Sequence, residues 1–328
     1  LNVTNLDGTA TADFSTVAAG LTVNASTDGS VTYTGNLTNV DSLTVGNATT
    51  FTTDAVIING KAVTNNGTVS VTNLEASTAM DFTNISGGTA NANWSGNGTF
   101  TGNLSTVSLI VASGTMSIAN GATIDSASSI VVNGTLNADA SKVTADTISG
   151  SGTLNVTNLD ATLNADFTNL TTNTINVDFS GTGTYTGNLT NVDALTVSSG
   201  TMTVTDDILG TLSTTGAGNI TVQVNSNTAQ NFNNLSVSGT EIIEFTGDST
   251  FTGNFQNSQV DINGGVTLTT DTANITGRDV SGTGILSVTN LDGTANADFS
   301  TVAAGLTVNA STDGSVTYTG NLTNVDSL

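Results

Sequence analysis

Residues 1–43 read LNVTNLDGTATADFSTVAAGLTVNASTDGSVTYTGNLTNVDSL, and the same stretch returns at residues 286–328. The two copies differ at two positions only, Asn2/Ser287 and Thr11/Asn296. Self-similarity of this kind is typical of arrays in which each unit packs on its neighbours. We therefore expect the chain to be one long period, plus an overlap, of a longer repetitive protein.

A shorter period runs inside this stretch. The phrase V-T-N-L followed by an acid starts at Val3, Val71, Val156 and Val288, and a decayed copy starts at Val222. The spacings are 68, 85, 66 and 66 residues, and the long one predicts one extra coil inserted within 112–150. Fixed periods predict a repeat architecture, so we expect one continuous array over residues 1–328. The expected repeats are 3–70, 71–155 (with the insertion), 156–221, 222–287 (decayed) and 288–328 (partial, repeating 1–43).

The composition indicates an all-β chain. Pro, Cys and His are absent, and charged residues make up only 9%. The abundant Thr and Val favour pleated, half-buried strands over helices. Disorder is the alternative for a chain so rich in Ser, Thr, Asn and Gly. It is disfavoured because 36% of the residues are hydrophobic and alternate with polar ones in short runs.

Two all-β architectures fit these repeats. A parallel β-solenoid coil commonly takes about 20 residues, so each repeat would hold three coils of about 22 and the chain about 15 coils. Short strands such as 195–197 and 202–204 would be separated by Ser-Ser-Gly or Asn-Gly corners. The alternative is a series of small β-sandwiches, but sandwiches are usually larger and protect their edges with Pro or Lys. We predict a parallel β-solenoid (β-helix), with tandem small β-sandwiches as the alternative.

One aromatic position recurs in all five repeats. It is filled by Phe14, Phe82, Phe167, Phe232 and Phe299. A large aromatic side chain at a fixed slot is most often a core residue, so we predict that all five fill the repeat core. A ligand-stacking platform is the alternative, but it lacks a supporting Arg or Trp.

Single acidic residues recur at three positions of the repeat, before the aromatic, after V-T-N-L and after T-G-N-L-T-N-V. Calcium takes about six to eight oxygen ligands, including several carboxylates close together. The G-G-x-G-x-D nonapeptide of calcium-binding β-rolls is missing. We therefore favour turn and corner roles for these acids. Calcium binding is the alternative for Asp7, Asp13, Asp41, Asp160, Asp166, Asp193, Asp292 and Asp298.

A T-x-T pair also recurs at one offset, for example Thr32 with Thr34 and Thr99 with Thr101. Flat Thr arrays bind ice in some β-solenoids, but at three coils per repeat these pairs would lie about 14 Å apart along the axis. We predict outward-facing Thr on strands, unless the intermediate coils place Thr on the same face.

The composition also argues against several functions. Without His and Cys, Ser-His-Asp and Cys-His catalysis are impossible within this chain. A polysaccharide-cleaving solenoid would need a carboxylate pair, and the local candidates are Asp206-Asp207 and Glu241/Glu244, which do not recur. A net charge of −23 with three basic residues argues against nucleic acid. No apolar stretch approaches the roughly 20 residues of a membrane helix. We therefore expect that the chain is not an enzyme and binds no cofactor, apart from the calcium alternative given above.

The phrases V-T-N-L-D-x-T, A-D-F and Y-T-G-N-L-T-N-V-D resemble the repeat regions of bacterial surface proteins. These include surface-layer proteins of the Campylobacter type and giant secreted adhesins of the filamentous haemagglutinin kind. The resemblance implies an extracellular or cell-surface structural protein that self-associates with copies of itself into a filament or surface layer. One alternative is the stalk of a large secreted adhesin whose binding domain lies outside this chain, and another is a polysaccharide-acting β-helix enzyme.

Overall fold

A computed structural model describes residues 2–6, 8–25, 29–105, 107–124, 127, 129–144, 146–291, 296–303, 307–311 and 317–327. The chain divides into two compact units. The first comprises Leu1–Thr157 and Ala165–Asn176, and the second comprises Asn158–Asn164 and Val177–Leu328. Each unit is a parallel β-solenoid.

The first unit is built from short strands, most of them three to six residues long. They are β1 (Asn2–Leu6), β2 (Gly8–Ala10), β3 (Leu21–Ala25), β4 (Gly29–Tyr33), β5 (Val40–Val45), β6 (Thr49–Asp54), β7 (Ala62–Asn65), β8 (Thr68–Thr72), β9 (Ile85–Ser86), β10 (Thr89–Trp94), β11 (Asn97–Phe100), β12 (Ser108–Val111), β13 (Thr115–Ile118), β14 (Ser129–Val132), β15 (Thr135–Asp139), β16 (Ile148–Ser149), β17 (Thr153–Leu159), β18 (Leu170–Thr171) and β19 (Thr174–Thr184). Strands β17 and β19 begin in this unit and end in the second.

Strands of the first unit pair in parallel with strands one coil away. One sheet runs β1-β3-β5-β7-β9, a second runs β2-β4-β6-β8-β10-β12-β14-β16-β18, and a third contains β11-β13-β15-β17. Val69, for example, pairs with Phe51 on one side and Ala90 on the other. Parallel neighbours one coil apart are the pairing of a solenoid, whereas a sandwich pairs antiparallel strands.

The second unit has the same organisation. Its strands are β20 (Ala194–Thr205), β21 (Ser213–Gly216), β22 (Asn219–Val224), β23 (Leu235–Val237), β24 (Glu241–Phe245), β25 (Ser249–Phe251), β26 (Gln259–Ile262), β27 (Thr267–Asp271), β28 (Val280–Gly282), β29 (Ile285–Thr289) and β30 (Thr307–Ala310). Parallel sheets run β20-β22-β24-β26-β28 and β25-β27-β29-β30, and β21 pairs with β20 and β23.

Among the described residues, four one-turn α-helices and two 3-10 helices, Leu74–Ala76 and Phe82–Asn84, interrupt the strands. The α-helices are α1 (Ala55–Ile58), α2 (Ala140–Val143), α3 (Asp206–Leu209) and α4 (Thr272–Ile275). An Asp side chain precedes three of them and accepts the N–H of the second helical residue, as Asp54 does from Val56 at 2.9 Å. A single turn is not stable alone, so the buried last residue of each, such as Ile58 or Ile275, holds it against the core.

The core forms because apolar side chains alternate with polar ones along each strand. In β3, Leu21, Val23 and Ala25 are buried while Thr22 and Asn24 lie on the outer side. A strand of this kind covers only part of a core, so its inward side chains are removed from water by the coils stacked on either side.

Glycine is required where adjacent strands of one coil meet at a corner. In the first unit, a Cβ added at Gly152 would lie 2.0 Å from the carbonyl oxygen of Gly134, and one added at Gly114 would lie 2.0 Å from that of Gly96. Such distances are sterically excluded, so the corners can stack closely only because they carry no side chain there.

The predicted parallel β-solenoid is confirmed, and the alternative of tandem β-sandwiches is wrong. Counted over the described residues of both units, about 14 turns follow one another at a spacing of about 19 residues, slightly shorter than the expected 22. One expected break is absent, because β20 is continuous through Ser199 and Gly200. Burial nevertheless switches there from odd-numbered to even-numbered residues, which marks the predicted corner.

Candidate functional surface

The phrases A-D-F and T-G-N meet at one corner, one coil apart. In the first unit the Phe14 N–H donates to the Asn36 carbonyl oxygen at 3.0 Å, and the Asn36 N–H donates to the Ala12 carbonyl oxygen at 3.1 Å. A Cβ added at Gly35 would lie 2.1 Å from that Ala12 oxygen. The glycine of T-G-N is therefore the residue that lets the two coils approach.

The acids before the aromatic cap tight turns at this corner. Asp13 accepts the Ser15 N–H at 2.9 Å and Asp166 accepts the Thr168 N–H at 3.0 Å. Asp81 and Asp298 make the same bond. Hydrogen bonds from the Ser or Thr two residues later lower the pKa of Asp13, Asp166 and Asp298. Four carboxylates at this position thus have an internal role in the backbone turn.

A neutral asparagine on the neighbouring coil lies next to three of these acids. The bridged pairs are Asp13/Asn36, Asp81/Asn103 and Asp298/Asn321, with Asn231/Asn254 in the decayed repeat. Asn254 Oδ1 accepts the N–H two residues later, as the Asp carboxylates do. The asparagine therefore continues the same turn one strand spacing away without placing two like charges side by side.

The acids after V-T-N-L are also engaged. Asp160 accepts the Thr162 hydroxyl at 2.7 Å and the N–H groups of Thr162 and Leu163 at 2.8 and 3.0 Å, and these bonds lower its pKa. Glu75 accepts the N–H and the hydroxyl of Ser95, from the next coil, at 3.1 and 2.9 Å. Asp7 and Asp292, the other calcium candidates at this position, lie outside the described residues.

The acids after T-G-N-L-T-N-V, Asp41 and Asp193, are exposed at the surface. Among the described residues, no three acidic, His or Cys side chains come close enough together to hold a metal ion. The described calcium candidates therefore lie at separate positions and do not come together in one site.

The two non-recurring acid pairs do not converge either. Glu241 and Glu244 are three residues apart on β24, so they project to opposite faces of the strand. Glu241 accepts the Val237 N–H at 2.8 Å, whereas Glu244 accepts the Gln223 side-chain amide at 2.8 Å. Asp206 is buried at the start of α3, where burial, and then the charge of Asp207, raises its pKa.

All five recurring phenylalanines are buried. The structure adds a second recurring aromatic that sequence reasoning missed, directly before T-G-N: Tyr33, Phe100, Tyr185 and Phe251 are each 0% exposed. The Tyr33 hydroxyl donates to the Ala12 carbonyl oxygen at 2.6 Å. Burial, together with the nearby Asp13 charge, raises the pKa of Tyr33 to about 12. The recurrence of Y-T-G-N and F-T-G-N was the sequence signal for this position.

The asparagine of V-T-N-L has a backbone role that also escaped sequence reasoning. Asn73, Asn158 and Asn290 have φ of 52°, 57° and 58°, a left-handed conformation that Asn tolerates better than most residues. The Asn73 side chain donates to Asp54, the cap of α1, at 2.6 Å, and Asn290 donates to Asp271, the cap of α4, at 3.0 Å.

Outward Thr, Ser and Asn side chains form rows along the sheets. In the first unit Thr32 pairs with Thr52, Thr52 with Ser70 and Ser70 with Asn91. The second unit repeats this order with Thr250, Thr269, Ser287 and Asn309. The intermediate coils thus place Thr and Ser on the same outward face as Thr32, which is the exception that the sequence analysis left open.

The row on the third sheet of the first unit is an amide ladder. It consists of Ser117, Asn137, Asn155 and Asn176, which lie on successive coils and are partly buried. The Asn137 amide donates to the Ser117 hydroxyl at 3.1 Å, Asn155 to Asn137 at 2.8 Å and Asn176 to Asn155 at 2.9 Å. Each amide thus contacts its neighbours along the solenoid axis.

The second unit contains a shallow polar groove of about 400 Å³. It is lined by amide side chains that include Asn233, Gln256 and Gln259, and by one carboxylate, Glu241. A single carboxylate that already accepts a backbone N–H does not supply the acid and base pair of a glycoside hydrolase.

Comparisons of the chain with known protein families, curated proteins and solved structures found no match. Among the described residues there is no helix with the length and apolarity needed to span a membrane.

Proposed function

We propose that the chain is a structural protein whose β-solenoid repeats self-assemble into an extracellular filament or surface layer. The observation that carries this proposal is the internal use of the recurring residues. The acid, the aromatic, the glycine and the asparagine of the repeat make contacts within or between coils, as described above. Repetition of a catalytic or binding residue would instead be expected to leave functional groups pointing together into a cleft.

The two copies of the 43-residue stretch support the same proposal. In the first copy the Asn39 side-chain amide donates to the carbonyl oxygens of Ser15 and Val17 at 2.8 and 2.6 Å. In the second copy Asn324 donates to those of Ser300 and Val302 at 3.4 and 2.7 Å. The two copies thus make the same side-chain contacts in separate units, which is the property required of a repeating shaft.

The mechanism of such a protein is mechanical. Continuous parallel ladders place backbone hydrogen bonds along the axis of each unit, and the number of repeats sets length. The outer surface is acidic, with a net charge of −23, which keeps separate copies soluble until specific surfaces meet.

Negative-stain electron microscopy of the purified chain, with and without a chelator, tests this proposal. We expect uniform fibres or a regular sheet that survive the chelator, because no three acidic side chains among the described residues come close enough together to hold a metal ion. Short isolated rods at every protein concentration would contradict self-assembly, and dissolution by the chelator would contradict its independence from calcium. Antibody labelling of intact producing cells tests the proposed extracellular location. Labelling that is seen only after the cells are lysed would contradict that location.

A further inference from the structure

The amide ladder belongs to a wider outward surface on β13, β15 and β17. Beside Ser117, Asn137 and Asn155, one step along each strand, lies a row of Thr115, Thr135 and Thr153 in parallel register. We call these six residues the amide face. Its grid has rows about 4.8 Å apart along the axis and columns about 6.7 Å apart along the strands.

The amide face carries no charge in a strongly acidic chain. The next outward residue of β15, Asp139, lies at the border of the face, and its carboxylate accepts the Ser141 N–H and hydroxyl at the start of α2. Two copies that approach through acidic corners repel each other over a Debye length of about 8 Å. The amide face offers a route of approach without that repulsion.

The row spacing favours a second copy of the chain as the partner. A surface can contact every row of the amide face only if its own rows have the same spacing, which is the spacing of strands in a β-ladder. A second copy of this chain is a β-solenoid and therefore has that spacing. Asparagine ladders of this kind are also found in the dry face-to-face contacts of paired sheets, because the amides bond along the axis and can be buried together.

We propose that the amide face is a contact surface between two copies of the chain, which pack face to face through Asn137 and Asn155. This inference rests on the proposed self-assembly and names the surface that performs it. A polysaccharide is the less favoured occupant, because none of the six side chains is an aromatic that could stack on a sugar ring.

Site-specific cross-linking tests the contact, since the chain has no native Cys. Asn155→Cys places a thiol on the amide face, and Thr52→Cys is the matched control on a partly exposed, outward position of β6. A short bismaleimide tolerates an offset of one row. We expect Asn155→Cys to form cross-linked dimers roughly a hundredfold faster than the control, because docked thiols meet at an effective concentration on the order of mM.

The outcomes separate this inference from the proposed function. If fibres or sheets form but both variants cross-link at the same slow rate, the amide face is not the contact and self-assembly stands. If neither fibres nor cross-links form, both proposals fail. Protection of the Asn155→Cys thiol from maleimide by an added insoluble polysaccharide, and not by a second copy, would overturn the choice of partner.

A charge variant supplies a second measurement. Asn155→Glu places two carboxylates opposite each other across the proposed contact, so we expect at least a tenfold higher concentration for assembly, equivalent to about 1.4 kcal/mol. An unchanged circular dichroism spectrum and melting temperature would show that the variant is folded. Assembly at the original concentration by the folded variant would overturn the inference.

Discussion

The corner at residues 12–40 of the first unit and the corner at residues 230–258 of the second use one backbone template with different fillings. Both contain the buried phenylalanine, Phe14 or Phe232, whose N–H donates to the asparagine of T-G-N on the next coil. The replacements in the second corner include Asp13/Asn231, Tyr33/Phe251, Leu37/Phe255 and Val40/Ser258. The backbone contact is retained while these side chains change.

The second corner compensates for volume between neighbouring slots. Phe255 is larger than the Leu it replaces, and Ser258 is smaller than the Val. The Phe255 ring stacks on Phe251 with centroids 4.0 Å apart and meets Phe245 edge to face at 6.0 Å. Ser258 is 1% exposed, and its hydroxyl has no hydrogen-bond partner. Coil spacing is therefore the strict requirement, whereas the side chains that fill the core can be exchanged.

The largest loss of stability is expected where a substitution prevents the close approach of two adjacent coils. A Cβ at Gly35 or Gly253 would lie 2.1 or 1.9 Å from a carbonyl oxygen of the adjacent coil. We expect Gly35→Ala and Gly253→Ala each to lower the free energy of unfolding by about 4 kcal/mol or more in urea titrations, because backbone must move. Gly121→Ala is the control, since nothing lies within 4 Å of its Cβ position. Equal effects at all three positions would disprove the close-approach explanation.

The next largest effect is the loss of stability when the buried phenylalanine of each corner is truncated, and it should differ between the two corners. Phe14→Ala and Phe232→Ala should each cost about 3–5 kcal/mol through lost burial and a cavity. Phe232 also stacks on Phe251 at 6.0 Å, which adds about 0.5–1.5 kcal/mol to its loss. Thermal and urea unfolding of the two variants measure the difference. A smaller loss at Phe232 than at Phe14 would mean that the aromatic cluster adds no stability.

A stabilising change is expected at Ser258. Its buried hydroxyl has no partner, so Ser258→Ala should raise the free energy of unfolding by about 1 kcal/mol. The matched change in the first unit is Val40→Ser, which should lower it by about 1–3 kcal/mol, since it introduces an unpaired hydroxyl at the same slot. Destabilisation by Ser258→Ala would show that this hydroxyl has a partner or that its volume is needed.

The smallest effect concerns pH. Hydrogen bonds lower the pKa of Asp13 in the folded state, so its contribution to stability is full above the unfolded value near 3.9 and is lost as pH falls through the folded pKa. Asp13→Asn should therefore flatten the acid limb of stability against pH. Asn231→Asp should steepen it, since it installs the same cap in the second corner. Parallel acid limbs for the parent and both variants would contradict the assignment.

The solenoid could be predicted from the sequence because the residues that form its core recur at regular intervals along the chain. Outward Thr and inward Val alternate within strands, and the recurring Phe14 slot returns at each repeat, so pattern alone indicates stacked coils. The role of Asp13 in the corner turn could also be predicted from the sequence, because a single Asp with a Ser two residues later favours a turn. Such features depend only on residues near each other in the chain.

The remaining features depend on register between coils, which one sequence does not state. The Asn137–Asn155 ladder and the Thr32–Thr52 row exist only because particular residues of successive coils are paired. The left-handed conformation of Asn73 is explained by the hydrogen bond that its side chain donates to Asp54 on the neighbouring coil, and this contact is visible only in the structure. The short helices did have a local signal, an Asp before Ala or Thr with an apolar residue four positions after that Asp, as at Asp54 and Asp271.

The alternation of aspartate and asparagine at the corner has a consequence for growth in length. In the first unit Asp13 precedes β3 and Asp81 precedes β9, which lies three coils further along the sheet. Three strand spacings are about 14 Å, which exceeds the Debye length of about 8 Å in physiological salt. Corner carboxylates are therefore mutually screened. The linear density of corner charges stays constant as repeats are added, so a gene that gains repeats by duplication lengthens the solenoid without increasing the repulsion between neighbouring corners.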